Sequence, residues 1–92
     1  MSRQTLRILV SGLVQGVGYR QWARSRAVSL GINGQVRNLA DGRVEILAEA
    51  EDIPLLTFLE LLREGPRLAQ VTGLAVEPYS ANGLDWRSFE VR

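Results

Sequence analysis

A chain of 92 residues with 46% hydrophobic and 23% charged side chains fits one compact domain over residues 1–92, and excludes both a second core of similar size and the apolar-poor signature of disorder. With no cysteine and no histidine, disulfides, thiolate or imidazole nucleophiles, histidine proton carriers and Cys/His zinc sites are all unavailable. The net charge of +1 is too small to draw the whole chain to nucleic acid or to an anionic membrane.

The opening Met1-Ser2-Arg3-Gln4 lacks the basic, apolar, small-residue order of a signal peptide. No apolar run approaches the ~20 residues of a membrane span, so a cytoplasmic protein is expected. Between Thr5 and Ser11, Leu6, Ile8 and Val10 alternate with residues such as Arg7, the period of a half-buried strand. Gly12, Gly16 and Gly18 break that pattern, and from Tyr19 to Leu30 the set Tyr19, Trp22, Ala23, Ala27 and Leu30 recurs at helical spacing. Gly31 stops the helix. Alternation returns from Ile32 to Asn38, with Ile32, Val36 and Asn38 on one side.

Asp41-Gly42 is a hairpin signal before Arg43 to Ala50, where Val44, Ile46 and Ala48 face inward and Glu45 and Glu49 are expected to face solvent. Asp52 is a candidate cap for a second helix with Pro54 in its first turn, the apolar stripe Leu55, Phe58, Leu59 and Leu62, and a stop at Gly65-Pro66. Strands are expected over Leu68–Glu77 and Trp86–Val91, separated by a loop containing Pro78, Asn82 and Gly83. One-faced helices and alternating strands in this order predict an α+β, ferredoxin-like βαββαβ sandwich. Its antiparallel sheet carries both helices on one face and a short extra C-terminal strand.

The charge is unevenly spread. Seven arginines against Asp41 alone leave residues 1–43 at +6, while four arginines against nine acids leave 44–92 at −5. Every cation is arginine, which rules out a Schiff-base or P-loop lysine and suits bidentate recognition of phosphate or carboxylate. Genome composition or heat adaptation would give the same all-arginine count.

The segment Gly12-Leu13-Val14-Gln15-Gly16-Val17-Gly18-Tyr19-Arg20 joins a strand end to a helix start. Glycines there let several N–H groups converge on one centre, and the helix terminus adds further donors and a positive dipole end. Arg20 in the first turn opposes that dipole, so an anion nearby would explain it. The bland alternative is a glycine-rich connector with a solvated arginine. In the split βαβ arrangement the first two strands end at the same sheet edge, ~10 Å apart at two strand spacings. Asn38 then looks toward the glycine loop from the helix side. An ordinary turn asparagine bonded to its own backbone is the alternative there.

Val14-Gln15-Gly16-Val17-Gly18-Tyr19-Arg20 resembles the first signature of acylphosphatases, and Gly34-Gln35-Val36-Arg37-Asn38 with Asp41-Gly42-Arg43-Val44 resembles their second. Gly65-Pro66, Ala69, Val71 and Phe89-Glu90-Val91-Arg92 extend the likeness over residues 5–92. Gln35 stands where the family usually has an aromatic residue, and Ala50 replaces a glycine common after the third strand. The resemblance implies hydrolysis of the carboxyl–phosphate bond of acyl phosphates without metal or other cofactor. In that reading Gln15, Gly16, Val17, Gly18 and Tyr19 supply the phosphate loop, and Arg20 and Asn38 bind phosphate and position water. A binding module that holds acyl phosphate, carbamoyl phosphate or another small anion without turning it over is the competing class.

Other constellations carry less. Glu45, Glu49, Glu51 and Asp52 form an acidic run of a kind that suggests magnesium, but the first two alternate outward along a strand and read as solvated, so no metal site is expected. Trp22 reads as core, and Tyr79 and Trp86 have no assigned partner. Aromatic content of 7% and the absence of an RNP-like strand argue against the RNA-binding modules built on a similar sheet. Leu9 and Leu47 on the outer sheet face offer at most a weak contact, so a monomer acting on a small molecule is expected.

Overall fold

The computed structural model describes residues 3–80 and 85–92; Asn82 and Gly83, expected in the last loop, lie outside them. The alternating segments form β1 (Arg3–Leu13), β2 (Asn33–Asn38) and β3 (Val44–Glu51), and the amphipathic ones form α1 (Tyr19–Ser29) and α2 (Asp52–Glu64). β4 (Gln70–Pro78) and β5 (Phe89–Val91) complete the chain. The sheet order is β4-β1-β3-β2-β5, with β1 antiparallel to β3 and β4, β2 antiparallel to β3, and β5 parallel to β2. The predicted ferredoxin-like arrangement is present, and its short extra strand makes the sheet mixed because β5 runs in the direction of β2.

Both helices lie on one face. Ile8, Val10, Val36, Val44, Ile46 and Ala48 from the sheet meet Ala23 and Ala27 of α1 and Leu55, Phe58 and Leu62 of α2. Phe58 and Phe89 meet edge to face at 6.0 Å, so the three-residue β5 is held by an aromatic anchor. Each fully buried large side chain in such a set contributes about 1.5–3 kcal/mol. Trp22 is only half-buried, packed on the rim of this core beside Tyr19.

Three local expectations are corrected. Asp52 opens α2 as its first residue, behind Glu51 at the cap position; its carboxylate accepts a hydrogen bond from Gln4 Nε2 at 2.8 Å instead of capping. The penultimate strand starts at Gln70, not Leu68, and runs through Pro78. The last strand starts at Phe89 rather than Trp86, because Trp86 is buried off the ladder and donates its indole N–H to Gln35 Oε1 at 3.2 Å. Gln35 thus fills the position of the expected aromatic residue by pairing with one.

The outer face of the sheet departs most from the alternation rule. Glu45 is 5% exposed, not solvated. Its two carboxylate oxygens accept from Arg7 Nε at 2.8 Å and Arg37 Nε at 2.7 Å, both on the strands flanking β3. Leu9 and Leu47 are 8% and 5% exposed, so neither offers the surface contact expected of them. Parity selects a face of the sheet, and the long arginine stems close that face over its centre.

Burial pushes the Glu45 carboxyl up, but the hydrogen bonds and charges of Arg37 and Arg7 outweigh it, leaving the group below the ordinary carboxylate range. A depressed folded value contributes stability above the unfolded pKa of ~4.3, and that contribution disappears as pH falls through the folded value. Glu45→Gln is expected to lose about 1–3 kcal/mol at pH 7, less than a fully buried pair because both arginines can rehydrate. Urea unfolding at pH 7 and pH 3 checks this: the gap from wild type should shrink at the lower pH, and an undiminished gap refutes it.

Candidate active site

β1 ends beyond Gly12, and a glycine-rich loop carries the chain to the N-terminus of α1. Gly16 and Gly18 adopt φ of 75° and 82°, left-handed values that cost other residues free energy. Gly18 occupies the cap position of α1 and provides no side-chain cap, so first-turn amides of this helix remain free for an external acceptor. No acidic residue occupies that turn; Arg20 does.

The loop and helix start enclose a cavity of about 110 Å³ lined by Val14, Gly16, Gly18, Tyr19, Arg20, Gln21 and Val91. That is roughly the liquid volume of three to four waters, a scale suited to a small tetrahedral anion. Arg20 reaches its position with Nη1 donating to the Arg92 main-chain oxygen at 3.0 Å. One turn on, Arg24 Nε donates to the Phe89 oxygen at 3.1 Å. These two bonds lash α1 to β5 and to the residue that follows it, and the rest of the Arg20 fork keeps donors for a ligand.

The expected loop residues divide by role. Gly16, Gly18, Tyr19 and Arg20 line the cavity, whereas Gln15 and Val17 do not. The Tyr19 ring is buried and its hydroxyl donates to the Leu62 oxygen at 2.7 Å. Burial raises the Tyr19 pKa, so the phenol stays neutral and ties α1 to the end of α2. Gln15 turns its amide away from the cavity: Nε2 donates to the main-chain oxygens of Leu39 at 2.8 Å and Arg43 at 2.9 Å.

Asn38 closes β2 opposite Val44 of β3, on the helix side shared with Val36. Its Oδ1 is buried without a hydrogen-bond partner in the protein, which rules out the self-bonded turn asparagine. The following turn is closed by Leu39 N to the Arg43 oxygen at 2.8 Å and Gly42 N to the Leu39 oxygen at 3.2 Å. Asp41 accepts from the Arg43 amide and guanidinium; the amide bond first, with the guanidinium, holds its carboxyl below the usual value.

Val14, Gln21 and Val91 line the cavity although the sequence reading gave them no role. Val91 carried the only readable signal, since it shares the phase of Phe89 in the last strand. Among the described residues, no group of three or more acidic, histidine or cysteine side chains is placed to hold a metal ion. No described helix is long and apolar enough to cross a membrane.

The model of the Acylphosphatase family matches residues 6–91. The chain belongs to the acylphosphatase family. It is 52% identical over 73 residues to an acylphosphatase of Alcanivorax borkumensis, covering 79% of each chain. With an acylphosphatase of Archaeoglobus fulgidus it is 49% identical over 86 residues, covering 94% of each. The crystal structure of acylphosphatase from Bacillus subtilis superposes with a TM-score of 0.90 at 36% identity, covering 99% of both chains. Both acylphosphatase signatures read in the sequence fall within the matched span. Ala50, a departure from the family pattern, is 2% exposed and packs in the core, away from the loop.

Proposed function

We propose that this chain hydrolyses acyl phosphates: an acyl phosphate dianion and water give a carboxylate and dihydrogen phosphate, with the P–O bond to the acyl oxygen broken and one formed to water. The leaving carboxylate is the conjugate base of an acid with a pKa near 4.3, so no proton donor is required at neutral pH. Phosphoryl transfer then asks for positioning and for donors that tighten as charge redistributes over the equatorial oxygens. The amides around Gly16–Tyr19 and the free part of the Arg20 fork supply these.

Asn38 takes the other half of the work. Its side chain does not ionise, so it acts by geometry. Oδ1 accepts a hydrogen bond from the attacking water and leaves a water lone pair directed at phosphorus, in line with the departing carboxylate. Attack is direct, with no phosphoenzyme.

One observation carries the reading: Arg20, the glycines and an uncapped helix start surround one small cavity, while Asn38, outside the residues that line it, holds a buried unpaired acceptor at the end of β2, whose following turn Gln15 ties to the loop. The test is the disappearance of acetyl phosphate and benzoyl phosphate with a chelator present, beside a phosphate monoester. Both anhydrides should be hydrolysed at rates unchanged by the chelator, and the monoester, whose alkoxide leaves poorly, should be far slower. Binding of acyl phosphate without acceleration would instead assign the chain to the non-catalytic binding class.

A further inference from the structure

Gln15 lies within the loop that grips phosphate, yet its side chain is spent elsewhere. Both Nε2 hydrogens are used, one on the Leu39 oxygen and one on the Arg43 oxygen. The remaining Oε1 is an acceptor and would repel phosphate oxygens. The two anchored carbonyls bracket Asn38: Leu39 follows it directly, as the first residue after β2, and Arg43 precedes Val44, its cross-strand partner in β3. Each carbonyl also accepts a main-chain bond, from Gly42 N and Leu39 N respectively, so the turn is closed on itself and both oxygens are fully used. Among the described residues, Gln15 provides the side-chain hydrogen bonds that join this turn to the phosphate loop.

We propose that Gln15 is a positioning residue for water attack: its amide clamps the end of β2 to the phosphate loop and so fixes the offset between Asn38 and the bound phosphorus. The inference rests on the hydrolytic reading above and adds a role that acts through Asn38. Displacing a reacting group by about 1 Å can cost on the order of 10²-fold in rate. Gln15→Met keeps the side-chain length and removes both donors.

The test is a double-mutant cycle on kcat for acetyl phosphate, using wild type, Gln15→Met, Asn38→Ala and the double variant, with inhibition by inorganic phosphate measured on each. Gln15→Met alone should lower kcat by roughly 10- to 100-fold and change phosphate inhibition by less than about twofold. In the Asn38→Ala background it should produce almost no further loss, because there is no amide left to aim. An equal loss in both backgrounds, a loss that appears as weaker phosphate inhibition, or unchanged kcat each overturns the proposal. If Asn38→Ala itself turns over like wild type, the underlying assignment of Asn38 fails instead. Should Gln15→Met not fold, amide exchange in the wild-type protein decides: slow exchange of the Gln15 side-chain protons supports the clamp, and exchange at solvent rates refutes it.

Discussion

Arg20→Ala is expected to lower kcat/KM for acetyl phosphate by at least about 10²-fold and to weaken inhibition by inorganic phosphate in parallel. The loss corresponds to about 2.7 kcal/mol of transition-state stabilisation, the scale on which one preorganised donor to a developing oxyanion acts. Folding should hardly change. Removing the bond from Arg20 to the Arg92 oxygen costs about 0.5–1.5 kcal/mol at most, and removing a cation from the first turn of α1 returns about 0.3–1 kcal/mol. Thermal unfolding therefore separates a chemical role from a structural one. Arg20→Lys should fall between the two: an ammonium keeps the charge but lacks the planar fork that can bond a carbonyl on one side and phosphate on the other. Wild-type turnover by Arg20→Ala would remove Arg20 from the reaction.

The difference between the parts of this protein that could be read in advance and those that could not lies in what periodicity encodes. Tyr19, Ala23 and Ala27 in α1, Leu55, Phe58 and Leu62 in α2, Ile8 and Val10 in β1, and Val44, Ile46 and Ala48 in β3 are buried as their spacing predicts, since one face of each element must leave water. The parity of Asn38 likewise placed it on the helix side. Parity is silent on what covers the opposite face. Glu45 follows the alternation and faces outward, but Arg37 directly opposite on β2 and Arg7 diagonally opposite on β1 reach its carboxylate, and only the strand order reveals that. The same limit applies to Gln15: a loop position fixes where a backbone amide lies but not where a four-bond side chain ends, and its carbonyl partners are 24 and 28 residues away. Trp86 and Gln35 are 51 apart. The Trp86–Gln35 contact depends on the chain returning to the far edge of the sheet, where β5 pairs with β2, which no local pattern states.

Asn38→Ala is expected to reduce kcat roughly 10²-fold while inhibition by inorganic phosphate stays within about twofold of wild type, the reverse pairing of effects from Arg20→Ala. An amide that touches water contributes to the reacting geometry and not to holding phosphate. Stability should not fall with activity. Oδ1 of Asn38 is buried with no partner in the protein, so truncation breaks no internal hydrogen bond of that oxygen, at the end of a strand where alanine fits the ladder. The variant should therefore unfold at the same or a higher temperature than wild type, the trade between stability and activity common to groups held ready for a substrate. Weakened phosphate inhibition with kcat preserved would make Asn38 a phosphate ligand. A lowered unfolding temperature would mean that its side chain is satisfied within the fold, leaving it no free acceptor with which to aim the water.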